Sequence, residues 1–479
     1  TLSITGNTLS ITGGNNVTLP SGSTYTTKGI DSVLTAGNNA AGLNMLNVGK
    51  MAIGTATADS TLTVSGGINA NNIRLSNGAG ANKILTSDAS GNASWVSPST
   101  VTAPSEIKDT DNDTKIQVEE SSDEDIIRFD IAGNERWRME GTHIEPVGTG
   151  GSVFIGDNAG QNDDLSANNN TFIGNNSGQT NSTGYANSAI GYNSMAFNTS
   201  GRENVSVGLN AMYNNTTGYR NAVIGYQALF TNTTGLGNVA MGYRALRTSS
   251  NKHYNIGIGY DALYNNNGTG NIGMGFYALR ANVSGSYNAA IGYRSLGSNV
   301  SGQRNIAFGF YSALDMLTGS FNITIGDYAL NNNINGSNNV VVGRNAGFNN
   351  VTGSRNVFIG YQAGYGAVGN SQNTNTFVGY KTGYDATSGY NNVAMGGSAL
   401  ENLTSGYDHV AIGNQAGQTI TATLNTVLIG RSAGYAINHT DANGTVAVGY
   451  QALQDLTSGQ NSVAVGYRAL ADLTTGDYN

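Results

Sequence analysis

Short apolar runs that end in glycine recur along the chain from residue 151 onward. Two of them stand in the stretches NAVIGYQAL at 221–229 and NVAMGYRAL at 238–246. The closing glycine occurs nineteen times between Gly156 and Gly466, and fourteen of the eighteen intervals measure seventeen residues. This period is too short for a helix pair or a propeller blade, but it suffices for one coil of a β-solenoid. The sequence therefore predicts an all-β fold with a β-solenoid (β-roll) of about nineteen coils.

The residue directly before each closing glycine is always large and apolar. Alternation with a period of two places it on the same strand face as the residue two positions earlier. We assign this face to the interior of the coil, opposite the Ala-Leu pair that follows the glycine in many copies. The predicted solenoid core comprises Ile224, Met241, Ile258, Ile291, Phe308, Ile325, Val342 and Ile359.

The middle residue of each run points to the other face of the strand. No copy is charged there, and fifteen of the nineteen are apolar. A strand that is apolar on both faces is buried on both faces, and the coil interior covers only one of them. We therefore expect the middle residues to contact another copy of the chain. The predicted interface between chains comprises Val223, Ala240, Ala290, Ala307, Val341, Phe358, Phe377, Ala394, Ala411 and Ala464.

Two further columns of residues recur with the repeat. Asparagine precedes the apolar run in fourteen copies, which predicts a ladder of amide hydrogen bonds between stacked coils. Tyrosine or phenylalanine follows the closing glycine in eleven copies. We interpret this column as a packing ladder of aromatic rings, with a carbohydrate-binding strip as the alternative.

The first 150 residues differ in composition from the repeats. The opening TLSITGNTLSITGG predicts short strands joined by Gly-Asn and Gly-Gly turns. Sixteen of the thirty carboxylates precede Gly151, most of them within residues 106–145. We divide the chain into a short-strand β segment (1–60), a Gly/Asn/Ser-rich β connector (61–105), an acidic β module (106–148) and the repeat-built shaft (149–479). That the first segment is trimerising is implied by the resemblance to fibrous proteins given below.

Composition narrows the range of functions. The net charge is −8, no run of Lys and Arg occurs, and nucleic acid is therefore an unfavourable partner. The longest apolar stretch falls short of the ~18 residues that a membrane-spanning helix needs. The chain has no cysteine, which excludes disulfides and thiolate metal sites. It begins with Thr1 and ends within a repeat, and we expect it to be part of a longer protein.

One group of acidic residues has the spacing of a calcium loop. Asp109, Asp111, Asp113 and Glu120 occupy positions 1, 3, 5 and 12 of an EF-hand-like sequence. Thr114 stands where such loops require glycine, and the flanking residues predict strands rather than helices. A solvated acidic turn is the favoured interpretation, a calcium site is the alternative, and no other cofactor is predicted.

A second acidic pair raises the question of catalysis. Asp455 and Asp472 share one loop position in adjacent coils, about 5 Å apart, close to the carboxyl separation of retaining glycosidases. Asp315 and Asp385 share this position without an acidic neighbour, and the motif D-L-T-[ST]-G is typical of a capped turn. We therefore predict no catalytic residues and no enzymatic activity.

The repeats resemble known fibrous proteins. The [VI]-x-[IVM]-G-Y-x-A-L coils resemble the β-roll heads of trimeric autotransporter adhesins, whose coils are shorter, and the longer coils of phage tail fibres. The stretches LSITGNTLSITGGNNVTLP, LSNGAGANKILTSDASGNASW and IRFDIAGNERWRM also resemble tail-fibre modules. The coiled-coil stalk and membrane anchor of the adhesins do not occur in this sequence, nor does the autocleaving C-terminal chaperone domain that many fibres carry.

The resemblance implies a parallel homotrimer located in the virion tail, outside the cell. Its function would be that of a structural fibre which extends a receptor-binding tip toward the host surface. The implied partners are further copies of the chain, other tail or fibre proteins, and a glycan or protein of the host surface. A bacterial trimeric adhesin that binds a host or matrix ligand is the alternative, followed by a glycan-cleaving tailspike.

Overall fold

The computed structural model describes residues 83–90, 93–97, 106–118 and 126–479, together with the backbone of five short strands nearer the N-terminus. The chain divides into two compact units, Thr1–Ala103 and Pro104–Asn479. The predicted boundary between residues 60 and 61 lies outside the described residues.

The first unit contains short strands in small sheets. The opening repeat forms an antiparallel sheet of three strands, as the alternation of apolar residues and turns predicts. A parallel pair and an antiparallel pair follow along the chain. The strands are β1 (Leu2–Thr5), β2 (Thr8–Ile11), β3 (Val17–Thr18), β4 (Met51–Ile53), β5 (Leu62–Val64), β6 (Ile84–Ser87) and β7 (Ala93–Val96).

The second unit begins with the acidic module, an antiparallel meander in which each strand pairs with the next one along the chain. Ile126 and the polar Arg128 and Asp130 are buried in its central strand. The sequence predicts the three middle strands, at Lys115–Val118, Ile126–Asp130 and Glu135–Met139. The structure adds one at each end. The five strands are β8 (Glu106–Lys108), β9 (Lys115–Val118), β10 (Ile126–Ile131), β11 (Asn134–Glu140) and β12 (His143–Pro146).

The solenoid contains one three-residue strand per coil, and its nineteen strands form a single parallel sheet in chain order. Each strand pairs with the next in continuous register, so that equivalent residues of successive coils lie side by side. One short 3-10 helix, Thr440–Ala442, interrupts the turns. The strands are β13 (Val153–Ile155), β14 (Thr171–Ile173), β15 (Ser188–Ile190), β16 (Val205–Val207), β17 (Ala222–Ile224), β18 (Val239–Met241), β19 (Ile256–Ile258), β20 (Ile272–Met274), β21 (Ala289–Ile291), β22 (Ile306–Phe308), β23 (Ile323–Ile325), β24 (Val340–Val342), β25 (Val357–Ile359), β26 (Thr376–Val378), β27 (Val393–Met395), β28 (Val410–Ile412), β29 (Val427–Ile429), β30 (Val446–Val448) and β31 (Val463–Val465).

The predicted β-solenoid is confirmed, and so is the asparagine ladder at the start of each strand. Asn221 is buried, and its backbone N–H and its Nδ2 both donate to Oδ1 of Asn204 in the preceding coil, at 3.0 and 3.1 Å. Nδ2 also donates to the carbonyl oxygen of Gly235 at 3.0 Å. Because the same three bonds recur from coil to coil, the ladder satisfies the amides that the interior buries.

The prediction of which strand residues face the coil interior is wrong. In the structure, the predicted inward and outward residues are exchanged. The middle residue of the strand faces the coil interior and packs beside the Ala-Leu pair of the turn. Because side chains alternate along a strand, a middle residue that points inward leaves both of its neighbours on the outward face. The residues predicted to contact other chains are buried within their own chain: Val223, Ala240, Ala290, Ala307, Val341, Phe358, Phe377, Ala394, Ala411 and Ala464.

The residues predicted as the solenoid core lie on the outward face instead. Six of the eight are between 37% and 44% exposed, and the other two are partly exposed. Their size misled the interpretation, because the coil interior is too narrow for a large residue on every strand. The displaced residues are Ile224, Met241, Ile258, Ile291, Phe308, Ile325, Val342 and Ile359.

Candidate functional site

The outward face of the sheet is the largest candidate site. We call the first and third residues of the nineteen solenoid strands the outer strip. None of these residues is charged, and only Thr171, Ser188 and Thr376 are polar. Ile224 is 44% exposed. A parallel sheet normally has both faces covered, and here the outer strip is open.

The two ends of each strand hold successive strands in register. The buried asparagine fixes the beginning of the strand, and a glycine with positive φ ends it. Gly242 has φ 132°, and a Cβ at this position would lie 2.6 Å from the carbonyl oxygen of Gly259 in the next coil. Glycine is therefore required for the close approach of the coils. The outer side chains consequently form two regular rows.

The dimensions of the outer strip exceed those of an ordinary surface patch. Strands ~4.8 Å apart and residues ~3.3 Å apart give a strip of roughly 86 by 7 Å, about 600 Å² in projection. The largest apolar patch on a typical monomer measures about 300–600 Å² of accessible surface. The accessible surface of protruding side chains is larger than their projection. The outer strip therefore has the properties of a surface that another molecule covers.

A column of stacked aromatic rings borders the outer strip. It comprises the residues that directly follow the strand-ending glycines, and its longest unbroken part runs through six coils. Neighbouring ring centroids in this part lie 4.8 to 5.3 Å apart. The packing ladder that the sequence predicts is thus present, and its rings remain partly exposed. The six rings are those of Tyr226, Tyr243, Tyr260, Phe276, Tyr293 and Phe310.

Arginines stand beside this column, and two of them have polar partners within the chain. Arg244 binds the fully buried carboxylate of Asp261 through Nε and Nη2, at 2.9 and 2.8 Å. The hydrogen bond to Asp261 raises the pKa of Arg244 above its usual value. Arg247 donates to Oε1 of Gln227 at 3.0 Å and to the hydroxyl of Tyr264 at 3.2 Å. Sequence reasoning missed these arginines, although they recur near the aromatic column.

The three aspartates of the predicted calcium loop come together. Carboxylate oxygens of Asp109, Asp111 and Asp113 lie within 4.8 Å of one another, and all three residues are exposed. A side-chain hydrogen bond with Asp109 and the negative charge of that residue raise the pKa of Asp111. The fourth predicted ligand, Glu120, lies outside the described residues. The calcium site stays a prediction.

The aspartate pair of the last two coils lies on the surface. Asp455 and Asp472 are exposed. Arg468 approaches Asp472 at 3.9 Å. At the same turn position elsewhere, burial raises the pKa of Asp315. Asp315 and Asp385 are exposed at this turn position as well.

Comparisons of the chain with protein-family models, with curated proteins and with solved structures find no match. Among the residues that the structure describes, no helix has the length and apolarity needed to span a membrane. The geometry of the solenoid is therefore the basis for a functional proposal.

Proposed function

We propose that this chain is a structural protein that assembles with further copies of itself through the outer strip to form the shaft of a fibre. The observation that carries the proposal is the exposed apolar row on nineteen consecutive strands. Burial of a fully exposed large aliphatic side chain contributes about 1.5–3 kcal/mol to association. The side chains of the outer strip are about half exposed in the single chain, so each contributes roughly half of this free energy. Summed over all strands of the outer strip, this free energy far exceeds that of a crystal-packing contact.

The regular spacing favours a second copy of the chain as the partner. A surface that covers the outer strip must be apolar, straight and about as long as the strip, and it must match the ~4.8 Å spacing of the strands. Another copy of the solenoid meets all of these requirements. The strip carries no charge that would select a different, oppositely charged partner. We therefore favour identical chains in parallel, with the number three taken from the resemblance to trimeric fibres.

The proposed setting is the tail of a phage, where the shaft holds a receptor-binding tip away from the virion. The sequence resemblance of the repeats and of the N-terminal modules supports this setting. A bacterial surface adhesin would use the same assembly. Immunoelectron microscopy with antibodies against residues 151–479 distinguishes the two: gold on phage tails supports the fibre, and gold on the bacterial surface supports the adhesin.

Self-association is tested by mass photometry of the purified chain, whose mass is 49.5 kDa. We expect particles of three times this mass, and a variant with Met241→Asp, Ile258→Asp and Ile291→Asp should yield single chains. The reason is that carboxylates on three of four successive strands cannot be buried in an interface without partners. Far-UV circular dichroism checks that the variant keeps its fold.

The matched control places three carboxylates on exposed turn positions away from the strip, at Arg220, Arg304 and Arg355. This control should keep the mass of the wild type. A wild-type chain that is monomeric at micromolar concentration would contradict the proposal. So would a strip variant that associates as the wild type does, and particles of twice the chain mass would replace the trimer by a dimer.

A further inference from the structure

The acidic module (residues 106–148) is a single sheet with one apolar face. Residues that lie opposite one another on paired strands share a face of the sheet. One face carries ion pairs, such as Lys115 with Asp130 at 3.5 Å and Arg128 with Glu135 at 3.7 Å. The other face carries two rows of apolar side chains that cross the strands. We call these nine residues the module face: Ile107, Ile116, Phe129, Trp137 and Pro146 in one row, and Val118, Ile127, Met139 and Ile144 in the other.

The module face is open to solvent in the single chain. Ile107 is 70% exposed, Ile144 63% and Val118 42%. Within the described residues of the module, only one apolar side chain is buried, that of Ile126 on the opposite face. A sheet has to bury its apolar face against another layer to form a core. The acidic module therefore completes its core only when another surface covers the module face.

The module face is too small to hold a separate partner by itself. Its five strands and two rows measure roughly 19 by 7 Å in projection, whereas a stable interface buries ~800 Å² per partner. The covering surface must therefore be apolar and must be brought close by a second contact. The module face of another copy meets both conditions, because it carries no charge and because assembly through the outer strip places the acidic modules of all chains at the same end of the shaft.

The connection between the acidic module and the shaft is short and is fixed at both ends. The backbone N–H of Val147 donates to the carbonyl oxygen of Arg136 in the module, at 2.9 Å. Three residues later, the carbonyl oxygen of Gly150 accepts from the N–H of Asn169 in the shaft, at 3.2 Å. A Cβ on Gly150 would lie 1.5 Å from the carbonyl oxygen of Ser166, so its backbone packs directly against this turn. A displacement of the shaft therefore displaces the module as well.

The outer strip alone does not fix the register of neighbouring shafts. Its nineteen strands are ~4.8 Å apart, and nearly all of them carry aliphatic side chains at both outward positions. A shift of one coil would uncover one strand at each end and would keep similar contacts along the rest of the strip. Register is weakly specified when the pairing surface is uniform. The acidic module differs from the strip in this respect, because it occurs once per chain.

We propose, on the basis of the assembly proposed above, that the module face docks onto the module faces of neighbouring copies and thereby fixes the register of the shafts. A shift of one coil displaces the modules by ~4.8 Å, the distance between two strands. The apolar rows would then no longer cover one another, and side chains such as Trp137 would remain in contact with water. The module thus disfavours the shifted assemblies that the outer strip alone would accept.

Acrylamide quenching of tryptophan fluorescence tests the docking. The chain has two tryptophans, and Trp95→Phe leaves Trp137 as the only one. In this background, the quenching constant of the assembled chain should be at least twofold lower than that of the single chains that the triple outer-strip variant yields. Ile144→Lys should raise the quenching constant of the assembly to the single-chain value, because it places a charge on the module face. Mass photometry should show that this variant still assembles through the outer strip.

Cryo-electron microscopy of the same assemblies determines the register directly. Equivalent coils should lie level in the wild type, and the shafts of Ile144→Lys should be shifted against one another by whole coils of ~4.8 Å. The matched control is His143→Lys, which places the same charge on the opposite face of the same strand, beside Glu140. This control should keep both the low quenching constant and the level shafts.

Four results would overturn the proposal. Level shafts in Ile144→Lys would exclude the register role, and an equal effect of His143→Lys would exclude the module face as its cause. A low quenching constant in the triple outer-strip variant would show that the chain covers Trp137 itself. An assembly in which Trp137 is quenched as in single chains would overturn the docking and leave the outer-strip assembly intact, whereas a wild type that consists of single chains would overturn both.

Discussion

The inner and outer sides of the solenoid strands carry equally apolar residues in very different surroundings. On the inner side, Ala240 is fully buried under the turn of its own chain, whereas its neighbour Met241 on the outer side is 39% exposed. Apolar character alone therefore does not distinguish the two sides. The two sides differ because residues on the inner side are matched in size to the turn residues that they contact within the solenoid.

Size matching is visible on the inner side. The fourth residue after the strand-ending glycine is Leu or Met in eleven coils and glycine in seven. A Cβ placed on any of these seven glycines would lie within 2.9 Å of a Phe or Leu at a middle strand position. Phe358, for example, occupies space above both Gly347 and Gly364. A large middle residue therefore requires glycine at the fourth position of its own turn. Phe358 also requires glycine at that position in the preceding turn.

A charge buried on the inner side should cause the largest loss of stability among the changes that distinguish the two sides. Ala240→Asp places a carboxylate in an interior that offers no cation, which should lower the local free energy of unfolding by about 3–5 kcal/mol. Met241→Asp puts the same charge one residue away into water, and a change within about 0.5 kcal/mol is expected. Native-state hydrogen exchange of the neighbouring coils measures both.

Both variants are made in a background with Ile291→Asp, Ile325→Asp and Ile359→Asp, so that neither self-association nor a carboxylate beside position 241 affects the comparison. Hydrogen exchange is preferred over a global melting curve because repeat arrays do not unfold in two states. Equal loss of protection in the two variants would mean that the inner and outer sides do not differ as described.

A smaller effect tests the size matching itself. Gly347→Leu introduces the most frequent residue of this turn position, but its side chain collides with Phe358, since a Cβ there already lies 2.9 Å from the ring. Overpacking of this kind costs about 1–3 kcal/mol. Adding Phe358→Ala recreates the Leu-Ala pairing of coils such as Leu229 with Ala240, and the double variant should be more stable than the sum of the single changes predicts.

The double-mutant cycle gives this coupling as an interaction free energy, for which about 1–3 kcal/mol in the favourable direction is expected. The matched outer-side cycle combines Gly347→Leu with Ile359→Ala, whose side chain is 38% exposed. It should show no coupling. Additive behaviour of the Gly347 and Phe358 changes would refute the shared interior volume.

Much of this architecture is encoded in the repeat. The period, the strand positions, the asparagine ladder and the buried Ala-Leu pair all follow from residues such as Asn221 and Leu229. The side of the strand does not follow from hydrophobicity, because Ile224 and Val223 are both apolar. The signal that could have resolved it is the anticorrelation in size between the middle residue and the turn residue. The ion pair of Arg244 with Asp261 required the structure, because the two residues come from different coils.

An effect similar in size to this coupling concerns the one histidine in the asparagine ladder, which brings a titratable group to the inner side. His409 is buried where most coils have asparagine, and its backbone N–H donates to Oδ1 of Asn392 at 3.1 Å. Its ring nitrogens contact the carbonyl oxygen of Thr423 at 2.7 Å and Oγ1 of Thr426 at 2.6 Å. Burial lowers the pKa of His409 to about 4.

The sign of the resulting pH dependence is fixed by this shift. The unfolded chain takes up a proton at His409 near its ordinary pKa of about 6.5, and the folded chain does so only near 4. The unfolded state therefore binds more protons between these values, and local stability should fall by about 2 kcal/mol from pH 7 to pH 5. Hydrogen exchange of the amides around Val410 at both pH values measures this, after correction for the intrinsic exchange rate. His409→Asn, which restores the ladder residue, should remove the dependence. An unchanged pH profile in that variant would show that the inner side at this coil admits the charge, contrary to the distinction between the two sides.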